Sequence, residues 1–191
     1  MKKMAMAVAG LLVASALAGC APVGAAGFQT AADVLGAAKA ANLVTQSDAL
    51  MDLQVTRDEL ESAFAAYAEC AGAEDVEVTR NGTNPVDGWR PLYEVDYSKR
   101  DDAAAVDNRC SDAHYRLVMF GYELTNEPVM DEKLMADLQD CLGQMGVETQ
   151  GDETNLPQLA PLGAEDPNKT RIEGCLLRLA GDQPNGMMWG F

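Results

Sequence analysis

The cysteines restrict this 191-residue chain more than any other feature. There are five. Cys20 closes an N-terminal apolar run, whereas Cys70, Cys110, Cys141 and Cys175 are spread through the body of the chain. Setting Cys70 over Cys141 brings out a short repeat: Tyr67 falls on Leu138, Glu69 on Asp140, and Val76-Glu77 on Val147-Glu148. Each copy reads as a helix ending in a cysteine, a turn, and a strand opening Val-Glu. Each is followed by a further helical stretch with a cysteine, Cys110 in the first copy and Cys175 in the second. What these thiols do depends on the compartment.

The N-terminus addresses that question. Lys2 and Lys3 form a positive start, and Met4 to Ala16 is apolar apart from Gly10 and Ser15, the layout of a secretory leader. The run falls short of the roughly 20 residues that cross a bilayer, and no later stretch is long and apolar enough to do so. Leu17-Ala18-Gly19-Cys20 resembles the lipobox of bacterial lipoproteins, with Leu at −3, small residues at −2 and −1, and cysteine at +1. The resemblance implies that residues 1–19 are removed and that Cys20 carries a diacylglyceryl group and acyl chains such as palmitate. The protein would then be held on the extracytoplasmic face of the cell membrane. Two or more chains suffice, since burial is worth about 0.8 kcal/mol per methylene. Residues 20–29 then read as a lipidated tether and 30–191 as a single extracytoplasmic domain.

With Cys20 spent on lipid, an even four remain, which in an exported chain reads as two disulfides with three possible connectivities. The repeat favours two helix–strand–helix halves, 56–121 and 131–181, each stapled internally through Cys70–Cys110 and Cys141–Cys175. Each such bridge closes a loop worth about 4 kcal/mol in the chain-entropy treatment. The segment from Asp131-Glu132-Lys133-Leu134 through Asp140-Cys141-Leu142 to Gly146-Val147 is also similar to segments of acidic, two-disulfide lipoproteins of high-GC Gram-positive bacteria. Where those commonly have Thr before the Asp-Glu pair, this chain has Met130. Many of them have no assigned activity, so the likeness implies a setting and no catalytic residue.

Local pattern supplies the elements. Thr30 can cap a helix running to about Asn42, and Leu50, Met51 and Leu53 suit a short helical turn within residues 47–54. Thr56 and Glu59 form an S/T-x-x-E capping box, after which Leu60, Phe64, Tyr67 and Ala71 make one helical stripe ending at Gly72. Val76 to Thr79 alternates as a strand, Asn81-Gly82 signals a turn lengthened by the Pro85 to Pro91 stretch, and Leu92 to Tyr97 alternates again. Val106, Cys110, Ala113, Leu117 and Phe120 predict one long helix from Asp101, stopped by Gly121. Leu134, Leu138, Cys141 and Met145 predict another, stopped by Gly146. Val147 to Thr149 reads as a short strand, residues 151–168 as mostly loop, and the stretch from Thr170 or Arg171 to Gly181 as a last helix. Met187-Met188-Trp189-Gly190-Phe191 is apolar enough to dock on the body. The expected fold is α+β, four to five helices on a small, mainly antiparallel sheet.

Charge narrows the function classes. The chain carries 14 basic and 30 acidic side chains, a formal charge of −16; loss of Lys2 and Lys3 with the leader leaves −18 on residues 20–191. Nucleic acid and anionic lipid surfaces want Lys and Arg and are disfavoured. His114, the one histidine, lies at i+4 from Cys110, but no further Cys or His motif completes a metal shell. Ser111, Asp112 and His114 on one helix do not aim at one another as a triad. The acidic pairs Asp58-Glu59, Asp101-Asp102 and Asp131-Glu132 sit at helix starts, where the dipole accounts for them. Asp152, Glu153, Glu165 and Asp166 in one loop would make at most a weak calcium site. Trp89, Tyr93, Tyr97 and Trp189 suit either a core or a binding surface, and core is favoured because the two tyrosines share a strand face. No catalytic residue, metal or cofactor is expected. The expected function is a non-enzymatic binding or accessory module of the cell envelope, with a small solute-binding lipoprotein and then an envelope hydrolase as alternatives; its partner is an envelope protein or ligand not named by the sequence.

Overall fold

The computed structural model describes residues 27–159 and 168–181. The leader, Cys20 and most of the tether, Glu165 and Asp166, and the apolar tail with Trp189 lie outside them. Among the described residues the chain is α+β, with eight helices and a two-stranded antiparallel sheet. No described helix is long and apolar enough to cross a membrane.

Capping chemistry sets the first helices. Thr30 accepts from the Asp33 backbone while Asp33 accepts from the Thr30 N–H (2.9 Å), opening α1, Ala31–Ala40. A short α2, Val44–Ala49, follows. The second capping box, Thr56 with Glu59, opens α3, Arg57–Gly72. Leu60 and Tyr67 on its buried face are at most 1% exposed, and burying a large apolar side chain contributes about 1.5–3 kcal/mol.

The hairpin pairs β1, Val78–Thr83, with β2, Pro91–Val95. Asn81-Gly82 does not make the turn. It lies inside β1, where the register shifts between Arg80 and Gly82, so the extra residue is absorbed as a bulge. The chain reverses instead through residues 84–90. β2 ends at Val95, before Tyr97, and Tyr93 and Tyr97 are 37% and 51% exposed. The tyrosines buried in the core are Tyr67 and Tyr115, both outside the strand.

The long helix expected from Asp101 to Phe120 is two. α4, Ala103–His114, and α5, Arg116–Thr125, are separated by Tyr115 at φ −125°, ψ −46°. The cause lies elsewhere in the chain. Gln46 of α2 is fully buried, and its Oε1 accepts from the Leu117 and Val118 N–H groups (2.9 and 3.3 Å) while its Nε2 donates to the Asp112 carbonyl (2.7 Å). Tyr115 has no capping side chain of its own, so Gln46 caps α5 from a distance. Gly121 does not stop the helix, which runs on to Thr125. It is small because a Cβ there would sit 2.3 Å from Leu50 Cδ2 and 2.9 Å from Val55 Cγ2.

Asp131 caps α6, Glu132–Gln144, through the Leu134 N–H (3.0 Å). Gly146 follows with φ +74°, and the Val147 N–H returns to the Leu142 carbonyl. Residues 147–150 form no strand, so only the first copy of the sequence repeat carries one. A four-residue α7, Leu156–Leu159, lies in the stretch expected to be loop, and α8, Lys169–Gly181, completes the described chain.

Two buried clusters result. The first joins α1 through α5 and the hairpin around Val34, Tyr67, Trp89, Val106 and Val118. The second gathers Val86, Met130, Leu138, Leu142, Ile172 and Leu176. Each holds one disulfide: Cys70–Cys110 (Cα–Cα 5.7 Å) joins α3 to α4, and Cys141–Cys175 (5.9 Å) joins α6 to α8. These are the pairs to which the repeat points.

Candidate functional site at the seam

The two clusters meet at the hairpin loop, residues 84–90. Asn84, 2% exposed, organises it: its side-chain oxygen accepts from the Val86 N–H (3.0 Å), its own N–H donates to the Arg90 carbonyl (2.7 Å), and its carbonyl accepts from Gly88 (2.8 Å). Asp87 Oδ1 accepts from both the Trp89 and Arg90 N–H groups (3.0 and 2.9 Å). The resulting loop points Val86 into the second cluster and Trp89 into the first.

The segment after α5 crosses this loop and is bonded to it. The Val129 N–H donates to the Asp87 carbonyl (3.1 Å), Asp131 to the Pro85 carbonyl (2.8 Å), and Met130 to the Thr154 carbonyl (2.8 Å). Gly88, at φ +72°, is needed for the crossing, because a Cβ there would lie 2.1 Å from the Val129 carbonyl oxygen. Asn126 holds the end of α5 with its Nδ2 on the Tyr122 and Val55 carbonyls (both 3.0 Å).

A cleft of about 230 Å³ opens along this seam. Val86, Trp89, Pro128, Leu156 and Pro157 supply its apolar lining. Its polar groups are Arg90, Asp87 and Glu123, together with Asn84 and Asn126. Trp89 packs tilted beside Tyr122 (5.2 Å between rings), and the Arg90 guanidinium lies 5.0 Å from the Trp89 ring centroid, a cation–π arrangement. The carboxylates nearest the guanidinium are Asp87 at 3.6 Å from Nε and Glu123 at 3.8 Å. Both are beyond hydrogen-bond length, and among the described residues the buried Arg90 Nε has no hydrogen-bond partner. A buried donor left unpaired costs about 1–3 kcal/mol; this Nε is closed off from the cleft as it is from water, so a ligand there would meet the exposed part of the Arg90 guanidinium.

The residues singled out from sequence are scattered by comparison. Trp89 lies at the seam, whereas half-buried His114 lines a separate hollow of about 220 Å³ with Thr45, Asp58, Glu59 and Ser62. Glu59 is already engaged there by Thr56 (2.8 Å), and the Cys110 sulfur at i+4 from His114 is bonded to Cys70. Asp112 pairs with Arg116 (2.6 Å). Glu153 accepts from the Gln150 and Gly151 N–H groups and from Gln139 (2.7, 2.8 and 2.9 Å), so it ties its own loop together. Among the described residues no three His, Cys, Asp or Glu side chains gather into a metal-holding group.

Exposed Tyr97 has a structural partner. Asp107 of α4 accepts from the Tyr67 hydroxyl with Oδ1 (2.5 Å) and from the Tyr97 hydroxyl with Oδ2 (2.7 Å), tying the end of the hairpin to α3 and α4. That bond pushes the Tyr97 hydroxyl up to about 12; burial above all, then Asp107, pushes Tyr67 up further. Tyr93 packs on Phe64 and Tyr67 with ring centroids 5.3 and 5.8 Å apart.

Asp87, Arg90, Glu123 and Asn126 were not among the residues marked from sequence. The signal available was a loop too long for a tight hairpin, carrying Trp-Arg between two prolines. No protein-family model, curated protein or solved structure matches the chain.

Proposed function

We propose that this protein is a lipid-anchored lipoprotein of the cell envelope that binds an extracytoplasmic partner in the seam cleft and does not transform it. The Leu17-Ala18-Gly19-Cys20 lipobox supports the anchor on Cys20. Two disulfides inside the buried clusters suit an oxidising compartment. The observation that carries the binding reading is Arg90: a guanidinium placed over Trp89, with its carboxylate neighbours among the described residues beyond hydrogen-bond length, at the wall of a partly apolar cleft. Pre-formed concave sites with a few convergent polar groups are where ligands bind.

The anchor is tested by labelling cells with tritiated palmitate. The protein takes up label and partitions into detergent, and Cys20→Ala abolishes both; label retained in that variant contradicts the anchor. Binding is tested in the intact envelope with a photo-crosslinking phenylalanine placed at Leu156 in the cleft, and at exposed Val44 as a control. A discrete adduct from position 156 alone supports the reading. Equal adducts from both positions, or none from position 156, contradict it.

A further inference from the structure

Resting on that binding reading, the geometry points to the chemistry of the ligand: an extended, basic peptide segment, with a backbone carbonyl on Arg90, a Lys or Arg side chain on Glu123, and an apolar side chain against Leu156 and Pro157. The Arg90 side chain, 34% exposed, lines the cleft, and among the described residues its carboxylate neighbours stand beyond hydrogen-bond length of the guanidinium. A carbonyl and a carboxylate both suit donors, but the surroundings separate them. Asp87 and Glu123 already stand 3.6 and 3.8 Å from the guanidinium, so the cleft carries two negative charges against one positive. A ligand carboxylate would add a third negative charge in a chain of formal charge −16. A neutral carbonyl satisfies the donors without that repulsion.

Glu123 supplies the second contact. Its side chain is 52% exposed, and its 3.8 Å approach to Arg90 leaves its oxygens without a short partner among the described residues. A ligand cation there would complete a charge-assisted hydrogen bond and would be drawn in by the acidic surface. The apolar wall accounts for the third contact. The volume of about 230 Å³ admits one or two residues and no more, so the recognised motif is short and the rest of the partner lies outside. A free basic solute would meet Glu123 but would leave the Arg90 donors and the apolar wall unmatched.

The test uses labelled heptapeptides of alanine, leucine and proline with Lys, Gln or Glu at the centre, titrated into the purified protein by fluorescence anisotropy. Free lysine and sodium acetate serve as small-molecule probes in a thermal-shift assay. The Lys peptide is expected to bind more tightly than the Gln peptide by about tenfold, and the Glu peptide more weakly than either. Glu123→Gln removes the preference for Lys over Gln and leaves the Gln peptide unchanged; Arg90→Lys weakens the Lys and Gln peptides alike by losing the planar fork. Glu94→Gln, an acid exposed on β2, changes none of these, and unchanged unfolding midpoints exclude misfolding. Preference for the Glu peptide or for acetate, a response to free lysine without peptide binding, or a Lys preference that survives Glu123→Gln would each overturn the proposal. If no heptapeptide binds but position 156 still crosslinks a partner, the ligand class is wrong and the binding reading stands. Absence of both overturns both.

Discussion

Gln46 holds the break between α4 and α5, and its replacement gives the sharpest stability prediction. Gln46→Met keeps the side-chain volume and removes the polar atoms. The N–H groups of Leu117 and Val118, both buried, then lose their acceptor. The Asp112 carbonyl loses its donor, but Asp112 is exposed and water can replace the bond. At about 1–3 kcal/mol per orphaned buried group, two N–H groups cost about 3 kcal/mol after partial relaxation. Gln46→Ala adds a cavity and costs about 1–2 kcal/mol more. Gln46→Glu keeps the acceptor but sets an oxygen against the Asp112 carbonyl unless it is protonated. Burial raises that carboxyl above its ordinary value, so the variant is most stable at acid pH and loses stability as pH rises through the raised value. Urea unfolding followed by far-UV circular dichroism measures all three. A cost below about 1 kcal/mol for Gln46→Met would refute the assignment, as would a Gln46→Glu variant whose deficit against the parent stays flat with pH.

Other outcomes follow from single contacts. Gly121→Ala improves helix propensity by about 1 kcal/mol yet destabilises the protein, because its Cβ would overlap the buried Leu50 and Val55 side chains at about 1–3 kcal/mol; a rise in melting temperature would contradict this. Titration of phenolate absorbance, read as the difference from Tyr97→Phe, is expected to place Tyr97 near 12, and Asp107→Asn to bring it down toward 10. Because the folded value is raised, the linked stability is present below about pH 10 and is lost between that value and the raised one; a wild-type midpoint at the ordinary tyrosine value would contradict the Asp107 bond. Glu61 is held below the usual carboxylate range first by its hydrogen bond to Arg80, then by the charges of Arg80 and Arg57. Its contribution is present above the ordinary carboxylate value and is lost as pH falls through the lowered one, so Glu61→Gln flattens the acid limb of stability; an unchanged limb counts against the pair. Replacing both Cys141 and Cys175 by Ser is expected to cost about 4 kcal/mol, and non-reducing peptide mapping should recover Cys70 with Cys110; a Cys70–Cys141 peptide would contradict the fold.

What could be read from the sequence was what short-range physics decides. Thr30 with Asp33 and Thr56 with Glu59 cap through neighbours three residues away, and α3 and α6 show their buried stripes by periodicity alone. The cysteine spacing, doubled by the repeat, located both staples. The misreadings share a cause, which is a partner distant in the chain. Periodicity runs unbroken from Val106 to Phe120, and the break appears only when Gln46, some 70 residues upstream, supplies the cap. Gly121 reads as a stop until Leu50 and Val55 are seen against it. Asn81-Gly82 has turn chemistry, but the anchoring of residues 84–90 by Asn84 and by the segment from Val129 to Asp131 moves the reversal downstream. The cleft lay beyond reach for the same reason: Arg90, Glu123 and Leu156 come from a loop, a helix and a distant turn.

The central claim is that the seam reads a basic residue through Glu123 beside a backbone acceptor for Arg90. A double-mutant cycle tests it most directly, pairing Glu123→Gln with the change of the central Lys to Gln in the heptapeptide. The account predicts that each change alone loses about tenfold in affinity and that the second adds nothing after the first. Losses that multiply to about a hundredfold would mean that the two groups do not meet, and would contradict it.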